Sequence, residues 1–241
     1  MIDISGHWMY HLVINGNNVR WYDYLRLAVY SFFQGEKPFG FAVRKGNTVQ
    51  IDLTQEMDAI MNGIKSNFRN EIRRASREGI EFDDEMTVQQ FVDFYNDFAV
   101  NRGLARISMK AITKYPKYFI FAASIGVHVL SAHVSFTDEQ EKKVFLLFSA
   151  SNRFGEGVDK KIVGFANKFL HYEEFRYFKE AGYKLYDFSG FSDDSNDAEK
   201  YGIGQFKTSF GGQVVATKHY YSPLFKIANL MRKKLFLVLQ S

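Results

Sequence analysis

Between Tyr183 and Gly212 the chain gathers residues whose types and spacing can do chemistry. A short alternating run, Lys184 to Phe188, carries Asp187 and leads into Ser189-Gly190. A polar stretch follows with Asp193, Asp194, Asn196, Asp197 and Glu199. Phe206-Lys207 comes next, and Phe210-Gly211-Gly212 closes the stretch. Glycine backbone at a strand end lets a ligand come close, and a lysine beside it offers a cation. The same residues also suit a surface loop between two strands, with Lys207 a surface lysine behind a buried Phe. Asp187 can take a proton, bind an amine or hydroxyl, or cap the turn after it. His171 titrates in the range that proton transfer needs, although a helical histidine can equally be a packed or exposed residue.

Cations form a second set. Lys65, Arg69, Arg73 and Arg77 recur every four residues, so on a helix they make one stripe. Such a stripe is an anion site or a solvated face, and Glu71 and Glu78 neutralise part of it. No His/Asp/Glu group has metal-ligand spacing, and neither a P-loop nor a dinucleotide fingerprint occurs. No metal is therefore expected.

The elements that must position these residues follow from periodicity. Trp8 to Ile14 runs into Asn15-Gly16-Asn17-Asn18, a hairpin signal. Leu25 to Phe33 reads as helix or strand. Phe39 to Val43 and Thr48 to Leu53 read as two strands about Lys45-Gly46-Asn47. A helix starting at Thr54 is interrupted by Gly63, and Ser66 reads as the N-cap of a second one ending at Gly79. Ile64, Phe68, Ile72 and Ala75 give that second helix its apolar face. Thr87-Val88-Gln89-Gln90 is a capping box that opens a helix with Phe91, Phe94, Tyr95 and Phe98. Tyr118 to Ser124, Val127 to Phe136 and Lys143 to Ser151 form an antiparallel meander. An amphipathic helix from Val158 to Ala181 then carries the chain to the strand before Ser189, which closes a parallel pair. Gln213 to Tyr221 adds a strand, and Ser222 to Gln240 a basic amphipathic helix that either packs on the protein or touches an anionic membrane.

Composition narrows the classes. The chain has 241 residues, room for one large or two small domains. Aromatic residues make up 17%, with 25 Phe and 14 Tyr, which predicts a Phe-rich core and tyrosines free to line a groove. The net charge of +4 permits an anionic partner without announcing a nucleic-acid binder. With no cysteine, disulfides, thiolate nucleophiles and cysteine-bound zinc are excluded, and a reducing cytoplasmic compartment fits. The first residues do not read as a secretory signal, and no apolar run reaches the length of a membrane span.

Two motifs together carry a resemblance. Arg69-Asn-Glu-Ile-Arg73-Arg-Ala-Ser-Arg-Glu-Gly79-Ile, after Ile51-Asp52-Leu53, resembles the R-x-x-I-R-K-A-x-x-x-G-I/V segment of the FemA/FemB/FemX-like aminoacyltransferases. Gly182 to Gly190, with Asp187, and Phe206-Lys207-Thr-Ser-Phe210-Gly211-Gly212 resemble that family's later glycine-rich and F-K-x-x-F-G-G segments. The resemblance spans Val49 to Tyr221. It implies an α+β, GNAT-like acyltransferase fold, a mixed and mostly antiparallel bent sheet flanked by helices, whose two central strands splay to admit the acyl donor. Residues 49–221 would form that domain. Residues 1–48 would be a reduced N-terminal portion packed on it, and residues 222–241 the basic helix.

The activity implied is N-acyl or aminoacyl transfer to an amine of a cell-envelope precursor, a peptidoglycan peptide or an amino sugar. The donor, aminoacyl-tRNA or acyl-CoA, is a co-substrate, and no tightly bound cofactor is expected. The other reading is a non-catalytic module of the same fold that binds a phosphorylated or lipid-linked glycan at the membrane. By resemblance, Phe206 and Lys207 lie in the donor channel, with Lys207 on the oxyanion or the donor carbonyl. Asp187 and His171 are the other catalytic candidates, and Ser189 and Gly190 are candidate substrate-binding residues. Lys65, Arg69 and Arg73 would hold a phosphate of donor or acceptor. Between strand and helix, where acyl-CoA-using relatives bind a pyrophosphate through backbone N–H groups, Arg153, Gly155 and Gly157 are the suggestive residues. The acidic stretch would be a lid. The location implied is cytoplasmic, with the C-terminal helix able to reach the inner face of the membrane.

Overall fold

The computed structural model describes residues 1–7, 9–155, 157, 159–191 and 196–238. They form an α+β protein of ten strands and seven α-helices in two compact units, Thr48–Val214 and Met1–Asn47 with Val215–Ser241. Among the described residues no helix is long and apolar enough to cross a membrane.

In the smaller unit β1 (Ile2–His7) and β2 (Tyr10–Ile14) pair antiparallel. After β2 the chain turns at Asn15, whose φ is 57°, but no hairpin follows. A 3₁₀ turn, Trp21–Leu25, carries it back so that β3 (Leu27–Ser31) runs parallel to β2. The turn residues were legible in the sequence. The direction of return depends on the 3₁₀ crossover, which buries Asp23 beneath the strands. The two strands expected about Lys45-Gly46-Asn47 are one, β4 (Ala42–Asp52). Gly46 serves a close approach inside a strand instead of a turn, since a Cβ there would lie 3.3 Å from Thr217 Oγ1.

The larger unit opens with α1 (Met57–Gly63) and α2 (Ser66–Arg77). Lys65 occupies the N-cap of α2 and makes no side-chain cap bond, so Ser66 is the first helical residue and not the cap. Phe68, Ile72 and Ala75 are buried as their spacing predicts, leaving the basic residues outward. β5 (Glu81–Asp83) precedes α3 (Val88–Arg102), whose capping box at Thr87 and Gln90 forms as expected. After the short α4 (Lys110–Thr113), the meander is β6 (Tyr118–Ile125), β7 (His128–Asp138) and β8 (Lys143–Ser151), antiparallel throughout. α5 (Lys160–Glu180) crosses to β9 (Leu185–Asp187), which pairs parallel to β8. The strand order in this unit is β4-β9-β8-β7-β6-β5.

Two irregularities of β8 matter below. Val134 faces Phe148 and Ser135 faces Leu146, so Leu147 is an extra residue in the ladder, and such a bulge turns a strand away from its neighbour. On its other edge β8 pairs with β9 only from Lys143 to Phe145. Beyond Phe145 the pairing stops, because β9 ends at Asp187.

The stretch expected to be loop up to Phe206 is largely helix, α6 (Ala198–Thr208), with Asp197 at its N-cap accepting from Lys200 N–H. Gly202 and Gly204 hid it, since each costs a helix interior about 1 kcal/mol. Asp193 and Asp194 lie outside the described residues; the part of the expected lid from Asp197 onward is the cap and first turn of α6. Gly211 follows at φ 80°, where a Cβ would meet Gly63 O at 2.5 Å. β10 (Gln213–Tyr221) and α7 (Pro223–Val238) end the chain. β10 pairs with β3 at Tyr220↔Tyr30, and α7 falls in the unit of the first 47 residues. Of the basic residues expected on α7, Lys226 is exposed, whereas 232–234 lie outside the described side chains.

Candidate active site

Where the pairing of β8 with β9 stops, the larger unit has a cavity of about 600 Å³. One wall is β8 from Leu146 to Ser151. α5 contributes Asn167 and His171, α6 contributes Ile203, Phe206 and Lys207, and the end of β9 contributes Phe188 and Ser189. Phe98 of α3, Arg102 with its partner Glu199 of α6, and Arg153-Phe154 also line it. Apolar sides with a few convergent polar groups are the usual make-up of a small-ligand site.

Sequence reasoning named His171 and Lys207 as catalytic candidates, and the structure places both on this cavity. His171 is buried, with Phe188, Phe206 and Phe210 around it at 5.0, 5.7 and 5.1 Å between ring centres. Behind it lies a polar network that the sequence did not reveal. Glu174 Oε1 is 2.9 Å from His133 Nδ1, and Glu174 Oε2 accepts from Tyr186 O–H at 2.5 Å. His133 Nε2 lies 2.8 Å from Asn167 Oδ1, which also meets the Ser131 hydroxyl at 3.0 Å. The His171 ring lies 4.2 Å from that of His133, tilted by 35°, and places Nδ1 3.5 Å from Glu174 Oε2.

Burial and the neighbouring His133 push the His171 imidazole down to about 4, against the pull of Glu174. Burial alone would raise Glu174, but the two histidines outweigh it and hold the carboxyl at about 2. Burial, reinforced by Glu174, raises the Tyr186 phenol well above its ordinary value. At neutral pH the site therefore presents an uncharged imidazole on the cavity wall, oriented by a carboxylate. His133, His171 and Glu174 offer ligand atoms within 4.8 Å of one another, a set that zinc accepts. Glu174 is already engaged by His133 through one oxygen and by Tyr186 through the other, so this is a closed hydrogen-bonded cluster. No spacing signal could have found it, because His133 and Glu174 are 41 residues apart on a strand and a helix.

Lys207 reaches back to the turn after β9. Its ammonium donates to the carbonyls of Phe188 at 2.9 Å, Gly190 at 2.6 Å and Ser189. Ser189 and Gly190 both have left-handed backbone, φ 50° and 52°, which lets consecutive carbonyls converge on one cation. An ammonium has three N–H donors, and all three are used. Burial pushes Lys207 down to about 8, opposed by the charge of Asp187.

Asp187 is fully buried and clamped. It accepts from Thr48 O–H, from Gln50 Nε2 at 2.9 Å and from Ser189 N–H at 2.8 Å, and pairs with Lys143 at 2.9 Å. Of its sequence alternatives, the geometry is that of the turn cap. Lys65, Arg69 and Arg73 do not line the cavity. The Arg69 guanidinium donates to Asn62 O at 2.7 Å and Ile64 O at 3.0 Å, closing the end of α1. Arg153 lines the cavity and Gly155 a smaller one beside it, whereas Gly157 lines neither. Where a pyrophosphate would meet the first amides of α5, the Asp159 carboxylate accepts from Lys161 N–H at 2.7 Å.

No family model matches the chain, and no curated protein matches it in sequence. Solved structures do. The crystal structure of FemX superposes with a TM-score of 0.68 over 94% of this chain and 85% of its own, at 13% identity. The chain has the FemX fold. L-PGS from Bacillus licheniformis follows at TM-score 0.59 and 14% identity, covering 92% of this chain and 80% of that one. The C-terminal domain of a putative lysylphosphatidylglycerol synthetase from Agrobacterium fabrum gives 0.58 and 14%, over 91% and 80%. The mixed, mostly antiparallel sheet expected of a FemX-like chain is thus present, and in the larger unit the cavity lies where its β8–β9 pairing stops.

Proposed function

We propose that this protein is an acyltransferase that joins an acyl or aminoacyl group to an amine of a cell-envelope precursor. The observation that carries the reading is the cavity between β8 and β9, open to a neutral His171 on one wall and edged by Lys207 on another. The FemX fold supports it at the level of architecture. The amine nitrogen attacks the acyl carbon, the new C–N bond forms, and the bond to the donor oxygen or sulfur breaks, the leaving atom taking a proton from water to become a hydroxyl or thiol. His171 accepts the hydrogen bond of the attacking N–H. At a pKa of about 4 it is too weakly basic to keep the proton, which passes on to water. Lys207 acts by charge and by holding the Ser189-Gly190 turn, because its donors already serve three carbonyls.

Aminoacyl-tRNA is the preferred donor in this reading, since Asp159 occupies the amide that a CoA pyrophosphate would use. Arg153 on the cavity wall favours acyl-CoA as the second possibility. No tightly bound cofactor is invoked. The occupied donors of Lys207 favour, in turn, the non-catalytic module that binds a phosphorylated glycan.

Thermal stabilisation by charged tRNA, acyl-CoAs and nucleotide-sugars identifies the ligand, because whatever binds only the folded state raises its stability. Transfer of a labelled acyl group with the stabilising donor then tests the reaction. A ligand that stabilises the protein, with no transfer to any amine acceptor, would sink the enzyme and leave the binding module.

A further inference from the structure

The smaller unit carries the positive charge of the protein. Residues 1–47 and 215–241 hold ten Lys and Arg against three Asp and Glu, net +7. Thr48–Val214 holds 21 against 24, net −3. The +4 of the whole chain conceals this division.

That same unit bares large apolar side chains. Phe39 is 89% exposed, Trp21 79% and Leu25 74%. Single exposed apolar residues are ordinary, whereas several together mark a contact surface. These three share one locality. Trp21 and Leu25 stand on the 3₁₀ turn, and Tyr24 between them packs edge-on against Phe41 at 5.1 Å. Phe41 closes the tight turn that presents Phe39, its N–H donating to Pro38 O at 3.3 Å with Gly40 at φ 75°. A Cβ on Gly40 would lie 3.6 Å from Pro223, the first residue of α7, whose Ile227 and Leu230 are also half exposed. Cations sit on the same elements, with Arg26 over the Tyr22 ring at 4.6 Å and Lys37 and Lys226 exposed.

We propose that this face of the smaller unit binds an anionic lipid surface. Phe39 at the turn tip enters the acyl-chain boundary together with Trp21 and Leu25, and Arg26, Lys37 and Lys226 meet lipid phosphates. An aromatic and aliphatic tip with a basic surround is the composition that binds interfaces, where apolar area and charge contribute together. RNA would meet the same charge, but Phe39 and Leu25 offer no hydrogen-bonding group to a base, and they gain most from acyl chains. The inference does not depend on acyl transfer.

Sedimentation with phosphatidylcholine vesicles, with and without phosphatidylglycerol, tests it on the full chain. Wild type should pellet at least about tenfold more with phosphatidylglycerol present, and salt should release it. The double variant Trp21→Ser/Phe39→Ser should lose at least about tenfold of that binding while keeping its circular dichroism and melting temperature. Val127→Ser, at a residue 91% exposed in the other unit, should bind as wild type does. Undiminished pelleting of the folded double variant overturns the proposal, as does wild type that ignores both vesicles. Binding to transfer RNA alone, lost in the double variant, also overturns it and assigns the face to RNA.

Discussion

The two units each bury a histidine, a tyrosine and a carboxylate in nearly the same arrangement. In the smaller one His11 lies 2.8 Å from Asp23 Oδ1 through Nδ1 and 2.6 Å from Asp3 through Nε2, while Tyr30 O–H donates to Asp23 Oδ2 at 2.5 Å. In the larger one Glu174 stands where Asp23 does, His133 for His11 and Tyr186 for Tyr30. The outer nitrogen of the histidine meets a charged partner in the first case and Asn167 in the second. Arg20 closes the smaller cluster by pairing with Asp3 at 2.5 Å. Burial would raise Asp3, but His11 and Arg20 outweigh it and hold it low. The larger cluster has instead a second histidine, His171, 4.2 Å from the first between ring centres and facing a cavity. A buried histidine–carboxylate–tyrosine group is therefore structural by default. In the proposed function, access through a further imidazole is what would let the larger one act on a ligand.

The sharpest way to break this comparison is His171→Asn against His11→Asn. The first should lower acyl transfer by about 10- to 100-fold, the size of a lost hydrogen bond to the attacking amine, with the melting temperature little changed. The second should lower stability and leave the transfer rate alone. Equal losses of rate would show that both clusters act through stability. Removing either carboxylate, Glu174→Ala or Asp23→Ala, strands a buried partner and should cost about 3–5 kcal/mol in urea unfolding.

Acid tests the larger cluster next. His171 titrates at about 4 in the folded chain against an ordinary 6.5, so unfolded chains bind the proton first as pH falls. The stability it contributes above 6.5 should be lost progressively between 6.5 and 4. Glu174, at about 2 against an ordinary 4.5, should continue the loss from 4.5 downward. His171→Asn should flatten the upper part of this slope in pH-dependent urea titrations. Transfer should also fall as pH rises through about 8, where Lys207 loses its charge and one of its three donors. The smallest effect concerns the phenols. Tyr186→Phe and Tyr30→Phe each remove one donor to a buried carboxylate and should cost about 1.5–3 kcal/mol, and only the first should disturb transfer.

Most of the architecture of the larger unit was legible because it is local. Phe68, Ile72 and Ala75 announce α2, Thr87 and Gln90 announce the cap of α3, and the apolar runs from Tyr118 to Ser151 announce a meander. The strand–helix–strand step through α5 required a parallel pair, and β8 and β9 form one. Elements that defy local propensity were not legible. α6 carries two glycines, and β2 and β3 run parallel across what reads as a hairpin turn.

The site divides in the same way. Residue type offered His171 and the family resemblance offered Lys207 as groups able to do chemistry, and both line the cavity. They could not say that Lys207 spends its three donors on Phe188, Ser189 and Gly190, or that Asp187 is saturated by Thr48, Gln50, Lys143 and its own turn. Nor could they bring His133 beside Glu174 and set His171 neutral. Periodicity reports which face of an element is buried. Which polar groups meet inside depends on how β7, α5 and β9 pack together, and burial then decides which of them keeps a proton.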